Sequence, residues 1–241
     1  MSALSPREVM LVTDFDGTLA EVVSDPALAG ILPASLEALK RLARTLGHVA
    51  VLSSRSTTDL AQRVPVPEVE LIGDSGVTDL TPDERRRLDM FNVEAGRVLG
   101  GIPGVWVEVK PAGSAIHHRH AQVDPAEIMR LIQPAVRETG LHAMAGRRVI
   151  ELIPRTAPKG DALAGLVVRW QPRGVVCLGD DENDRPMFDY VGSLERPHMT
   201  VGVASAEARA DLFAGCDFVV SGPEEVSDLL TAMADWSDTR A

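Results

Sequence analysis

Val9-Met10-Leu11-Val12-Thr13-Asp14-Phe15-Asp16-Gly17-Thr18-Leu19 decides both how the chain folds and where its chemistry lies. The uninterrupted apolar run reads as a buried strand over 9–14. It ends on two carboxylates one residue apart, Asp14 and Asp16, followed by a glycine turn. Both acids therefore point at whatever lies beyond the strand's carboxyl end. The turn bends backbone N–H groups toward an anion there. Asp-Gly also opens hairpins, but a hairpin needs a second β run at once. Residues 19–33 are loop-like instead, and a helical pattern follows.

Outward from that strand, the first part of the chain alternates strand and helix. A helix is expected over 33–47, with Leu36, Leu39, Leu42, Ala43 and Leu46 at helical spacing, Pro33 near its start and Gly47 at its end. Further strands are expected over 49–52 and 69–72, with a short helix over 57–64 between them. The last part returns to this style, with helices over 161–170, 186–191, 206–214 and 224–236 and strands over 175–179, 200–204 and 218–220. Near-continuous apolar strands alternating with amphipathic helices imply a parallel sheet covered on both faces. The middle reads helix (82–99), strands (105–109 and 114–120), helix (125–139), strands (142–145 and 149–153). That order implies an antiparallel sheet with two helices on one side. The fold class is therefore α/β, with residues 1–79 and 156–241 forming a core and 80–155 an inserted α+β domain.

Composition narrows the partners. The chain has 241 residues, a net charge of −11 and 45% apolar residues. An acidic protein of pI near 5.0 is not expected to bind nucleic acid or an anionic membrane. One that handles an anionic substrate must concentrate its basic groups locally. Only three lysines occur, Lys40, Lys110 and Lys159. Cys177 and Cys216 sit in apolar or helix-end contexts and read as two reduced thiols. No signal segment or membrane-length run is seen, so the expected location is the cytoplasm. A monomer or weak dimer is expected.

Three further motifs stand at ends of core strands or starts of core helices. Ser53-Ser54-Arg55 follows the second strand, where a hydroxyl can meet an anion or cap the next helix. Pro158-Lys159-Gly160 opens a helix, where a lysine can neutralise a phosphoryl group as a point charge. Gly179-Asp180-Asp181-Glu182-Asn183-Asp184 follows another strand. Four acidic groups within five residues repel one another unless a cation is nearby, and a hard divalent ion such as Mg²⁺ suits oxygen donors. In an open α/β sheet these positions converge on one crevice.

Taken in order, Asp-x-Asp, Ser, Lys and Gly-Asp-Asp-x-Asn-Asp resemble the four motifs of the haloacid dehalogenase superfamily. That resemblance implies a HAD-like Rossmannoid core with an inserted C2B-type cap. More narrowly, the chain resembles the trehalose-6-phosphate phosphatase family over most of its length. Asp14 to Ala20 resembles that family's D-[YF]-D-G-T-L-A. Glu108, Lys110, Ser114 and His117-His118-Arg119 resemble its E-x-K…S…H-[YH]-R. Glu151, Pro154 and Lys159-Gly160 resemble its E-x-x-P…K-G, and Gly179-Asp180-Asp181 with Met187-Phe188 its G-D-D-x-T-D-E-x-M-F. There are departures. Gly73-Asp74-Ser75-Gly76-Val77-Thr78 stands where the family has G-x-H-G-x-E, Ser54 replaces a glycine and Asn183 a threonine.

The resemblance and the residue types together imply a Mg²⁺-dependent phosphatase. Asp14 would be the nucleophile and would form an aspartyl-phosphate; Asp16 would be general acid and base. Lys159 completes the catalytic set. Ser53, Arg55, Gly17 and Thr18 would bind phosphate. Asp14, Asp16 (through its carbonyl) and Asp180 would hold the metal, supported by Asp181 and Asp184. Strand alternation gathers Glu108 and Lys110, His117 and Arg119, and Arg147 and Glu151 on one face of the inserted sheet, with Val105, Val107 and Val109 turned toward its helices. The polar face would bind the sugar. The expected substrate is trehalose 6-phosphate or a closely related phosphorylated (pseudo)disaccharide. A phosphatase for a sucrose-phosphate, glycosyl-phosphoglycerate or validoxylamine-phosphate type of sugar, or a phosphomannomutase-like isomerase, stays open at this point.

Overall fold

The apolar run does become the centre of a sheet. In the computed structural model, which describes residues 4–23, 25–77, 79–146, 149–155, 158–205 and 211–240, all five residues of β1 (Val9–Thr13) are buried. The chain continues through α1 (Pro33–Thr45), β2 (His48–Leu52), α2 (Thr57–Arg63) and β3 (Glu70–Ile72). Next come α3 (Pro82–Leu99), β4 (Trp106–Val109), β5 (Ser114–His117), α4 (Pro125–Thr139), β6 (His142–Gly146) and β7 (Val149–Ile153). It ends with α5 (Pro158–Trp170), β8 (Gly174–Gly179), α6 (Arg185–Gly192), β9 (His198–Ala204), β10 (Phe218–Ser221) and α7 (Gly222–Asp238). Two compact units result. One comprises Met1–Gly76 with Pro158–Ala241, the other Val77–Ala157.

The first unit is built on a six-stranded sheet in the order β10-β9-β8-β1-β2-β3, with every pair parallel. Alternation along β1 sends Val9 and Leu11 to one face, against Leu39 and Leu42 of α1 and Val226 and Leu230 of α7. Met10 and Val12 go to the other face, against Leu163 and Val167 of α5 and Met187 and Val191 of α6. Burying each such aliphatic side chain contributes roughly 1.5–3 kcal/mol, so this one strand ties both helical layers to the sheet. From β1 the chain moves out to β2 and β3, then returns on the other side with β8. Strand order therefore reverses between β1 and β8, and open parallel sheets leave a crevice at the carboxyl ends of strands at such a point.

The second unit has an antiparallel sheet in the order β4-β5-β7-β6. Leu88 and Phe91 of α3 and Ile128 and Ile132 of α4 pack on Ile116, Ile150 and Leu152 of that sheet. With the helices on one face, alternation assigns Trp106, Glu108, His117 and Glu151 to the other.

Three expectations change in detail. The strand expected over 114–120 stops at His117, because the Ala121 N–H bonds the His118 carbonyl at 3.0 Å and closes a turn. Arg119 thus lies past the strand. Val109, expected to face the helices, sits at the end of β4 and is 65% exposed. Of the helix expected over 206–214, residues 206–210 lie outside the described residues and 211–215 form turns. Arg147 also lies outside them. Cys177 is buried, Cys216 half-buried, and both are free thiols. No helix among the described residues is long and apolar enough to cross a membrane.

Candidate active site

Asp14 follows β1 directly, and its N–H bonds the Leu178 carbonyl of β8 at 3.0 Å. This bond fixes the first carboxylate at the point where strand order reverses. Lys159, in the first turn of α5, reaches it there: Nζ lies 2.8 Å from Asp14 Oδ1, 2.6 Å from Asp184 Oδ1 and 3.1 Å from Asn183 Oδ1. Asp14, Lys159, Asp180 and Asp184 are all buried. Asp184 Oδ2 accepts the N–H groups of Asp180 at 2.9 Å and Asp181 at 3.1 Å, which folds the acidic loop back on itself.

Glycines let these pieces meet. Gly17 has φ of +79°, a left-handed conformation that strains other residues, and a Cβ there would collide with the Asp180 carboxylate. At Gly160 a Cβ would stand 2.8 Å from the Pro186 carbonyl oxygen, so the α5 terminus could not approach α6. The loop after Asp14 is held tightly. The Phe15 carbonyl accepts N–H groups from Thr18, Leu19 and Ala20 at 3.3, 2.8 and 3.0 Å.

The electrostatics are unbalanced. Asp14, Asp180 and Asp184 each offer a carboxylate oxygen within 4.8 Å of the others. The Lys159 ammonium bonds two of them, Asp14 and Asp184. Burial pushes the Asp14 carboxyl up to about 7; Lys159 opposes this rise, while Asp184 and Asp16 add to it. For Lys159 burial alone would lower the pKa, but Asp14 and Asp184 overcome it and hold the ammonium above its ordinary value. Three carboxylate oxygens within 4.8 Å of one another could hold a divalent ion, and an all-oxygen donor set suits a hard one.

Asp16 is placed differently. Its carboxylate faces Arg55, with Nε to Oδ2 at 2.6 Å and Nη2 to Oδ1 at 2.8 Å. Arg55 also bonds Asp59 Oδ2 at 2.8 Å and the Pro26 carbonyl at 2.9 Å. Burial alone would lower the Arg55 pKa; the two carboxylates reverse this and raise it. Ser53 is buried and its Oγ accepts the Arg55 N–H at 3.3 Å. The cap of α2 is Ser56, whose side chain accepts the Asp59 N–H, so Ser53 is not tied up as a helix cap. Thr18 Oγ1 is buried with no hydrogen-bond partner among the described residues. A buried hydroxyl left so costs about 1–3 kcal/mol, which marks a place made for another oxygen.

Of the expected residues of the first unit, Lys159, Asp180 and Asp184 gather around Asp14, and Arg55 lies against Asp16. The buried carboxylate cluster is Asp14, Asp180 and Asp184, whereas the Asp16 side chain belongs to Arg55. Asn183, missed in the sequence, bonds Lys159. A signal for Asp184 was present: Asp181 and Asp184 form a capping box around one short turn, a D-x-x-D spacing.

In the second unit, Lys110 Nζ lies 3.5 Å from Glu151 Oε1, and His117 Nε2 lies 2.8 Å from Glu108 Oε2. Glu151 is buried and Glu108 half-exposed. Trp106 stacks on His117 with centroids 3.9 Å apart and planes inclined by 12°. Arg119 is half-buried.

Residues 12–213 match the family model described as trehalose-phosphatase. The trehalose-phosphate phosphatase of Mycobacterium tuberculosis is 32% identical over 249 residues, an alignment covering 96% of this chain and 62% of that protein. The chain therefore spans less than two thirds of that relative's length. Among solved structures, the C-terminal domain of Candida albicans trehalose-6-phosphate phosphatase superposes with a TM-score of 0.73 at 21% identity, covering 95% of this chain and 93% of that one. A trehalose-6-phosphate phosphatase related protein gives a TM-score of 0.74 at 18% identity, with 96% and 100% covered. The class is thus an α/β protein of the haloacid dehalogenase-like fold. The chain belongs to the trehalose-phosphatase family.

Proposed function

We propose that the chain is a Mg²⁺-dependent phosphatase that hydrolyses trehalose 6-phosphate or a closely related phosphorylated (pseudo)disaccharide through an aspartyl-phosphate on Asp14. The observation that carries this reading is the buried contact of Asp14 with Lys159, beside Asp180 and Asp184, where strand order reverses. Family membership supports the substrate class.

Asp14, Asp180 and the Asp16 carbonyl would hold Mg²⁺, with Asp181 and Asp184 shaping the loop. When bound, the ion would supply the positive charge that offsets repulsion between a carboxylate and a phosphate. Lys159 holds one Asp14 oxygen, orienting the nucleophile and leaving its other oxygen for phosphorus. Asp14 attacks phosphorus in line, and the bond from phosphorus to the sugar oxygen breaks. Asp16 gives that oxygen its proton. Asp16 then takes a proton from water, whose oxygen attacks the phosphoryl group, and the Asp14–phosphorus bond breaks to release phosphate.

Asp16 must leave Arg55 to reach the sugar oxygen, because the guanidinium occupies both of its carboxylate oxygens. An arriving phosphoryl group offers Arg55 another anion, in keeping with a phosphate-binding role. Thr18 Oγ1 and Ser53 Oγ offer further contacts to phosphoryl oxygens. The polar sheet face of the second unit, with Glu108, Lys110, His117 and Glu151, would act as a cap and recognise sugar hydroxyls, together with Arg119 beyond the strand. Phosphate release measured across phosphosugars with Mg²⁺ tests the proposal. Turnover should be fastest on a phosphorylated disaccharide. Preference for a monosaccharide bisphosphate, or a requirement for one, would instead favour a mutase.

A further inference from the structure

Trp106 has no place in the motifs that relate this chain to its family, yet it leaves a large apolar side chain in solvent. It is 49% exposed, on the edge strand β4. Its orientation is fixed all the same. One ring face lies against His117 at 3.9 Å, and His117 is in turn held by Glu108 at 2.8 Å. Trp106 pairs with His117 in the β4–β5 register and alternates onto the same face as Glu108. That face also carries Glu151, which Lys110 reaches.

The other tryptophans offer a contrast. Trp170 also stacks on a histidine, His48, but the Arg169 guanidinium lies 4.8 Å from its ring, and its indole N–H bonds Glu70. Trp236 carries Arg240. No cation lies over the Trp106 ring among the described residues. Its ring is therefore braced on one face by His117 and half exposed, on the sheet face that carries Glu108 and Glu151.

A pyranose ring matches that arrangement chemically. Its axial C–H groups form a flat apolar face that packs on an aromatic plane, while its equatorial hydroxyls reach outward to charged groups. A braced indole binds with little further loss of side-chain freedom. Resting on the proposed phosphatase reading, we infer that Trp106 is a specificity-determining residue: a stacking platform for the sugar ring remote from the phosphate. The remote ring is the occupant because the reaction itself needs only the phosphate and the oxygen it leaves.

The test compares wild type with Trp106→Ala, Trp106→Leu and Trp106→Phe on trehalose 6-phosphate, glucose 6-phosphate and p-nitrophenyl phosphate, with thermal melting run alongside. Trp106→Ala and Trp106→Leu should raise KM for the disaccharide about tenfold with kcat little changed. Trp106→Phe should recover most of the loss, and the two smaller substrates should be unaffected by any variant. Equal losses on all three substrates, no loss on the disaccharide, or Leu serving as well as Phe would overturn the platform alone. Wild type inactive on the disaccharide but active on smaller esters would overturn the functional reading, and the platform with it.

Discussion

The two units build their polar surfaces in opposite ways. Around Asp14, charges meet from remote parts of the chain and are sealed from solvent. Asp14 and Lys159 are 145 residues apart in sequence and both buried. On the second unit's sheet, Glu108 and His117 are nine residues apart, joined by one hairpin and partly exposed. A buried cluster is rigid, and removing the ammonium of Lys159 strands the carboxylates it holds. A cross-strand surface can lose a member at small cost to the fold. The first arrangement suits chemistry that must not vary, the second a substrate preference that can.

If that contrast is right, the largest effect belongs to Asp14→Asn. Turnover should fall at least about a thousandfold on every phosphate ester, because the nucleophile is gone. The fold should not suffer, since the change removes one of the mutually repelling buried carboxylates. Circular dichroism and thermal melting beside the phosphate assay check both halves. A destabilised variant would mean that Asp14 supports structure rather than chemistry.

Lys159→Met should abolish activity as well, but here the fold pays. Leaving Asp14 and Asp184 without their ammonium should cost about 3–5 kcal/mol, read by urea denaturation in chelator. Added Mg²⁺ should recover part of that loss. A variant as stable as wild type in chelator would show that the cluster is less tightly sealed than its geometry indicates.

Removing metal should stop turnover, and the effect should depend on pH. Beside Lys159 but with no metal ion, burial holds Asp14 up to about 7. A proton therefore competes with Mg²⁺ below that value, and apparent affinity should fall by up to about tenfold per pH unit there, levelling off above it. The sign for folding runs the same way. The raised carboxyl stabilises the metal-free protein fully below its unfolded value near 4, and that contribution is lost as pH rises through about 7. Thermal shifts with and without Mg²⁺ between pH 5.5 and 8.5 would show the stabilisation by metal growing with pH. A pH-independent shift would remove Asp14 from the metal site.

Much of this was legible in the chain because local patterns carried it. The run Val9 to Val12 could only be a strand buried on both faces, and the change to antiparallel patterning after residue 80 marked a second kind of sheet. The chemistry-bearing residues stood in short motifs, so their types were readable one by one. Their partners were not. Nothing local says that the Asp16 carboxylate turns to Arg55, since that pairing depends on two strands lying side by side. Asp184 was expected to support the metal site, but not to bond Lys159 and fold the acidic loop back onto Asp180, because that rests on a turn. The strand expected to reach 120 ended early for a similar reason, as the turn at His118 is a hydrogen-bonding choice that apolar periodicity does not report. Trp106 drew no notice because a single aromatic on a strand reads as packing until its exposure is known.

The central claim is a division of labour, chemistry in the buried cluster and choice of sugar on the polar sheet face of the second unit. Its most direct test is kcat/KM of wild type, Glu108→Ala and Lys110→Ala on trehalose 6-phosphate and on p-nitrophenyl phosphate. The account predicts a loss of roughly ten- to over a hundredfold on the sugar phosphate, matching about 1.5–3 kcal/mol for a charged hydrogen bond, with the small ester unchanged. Equal losses on both substrates, or none on the sugar phosphate, would contradict it.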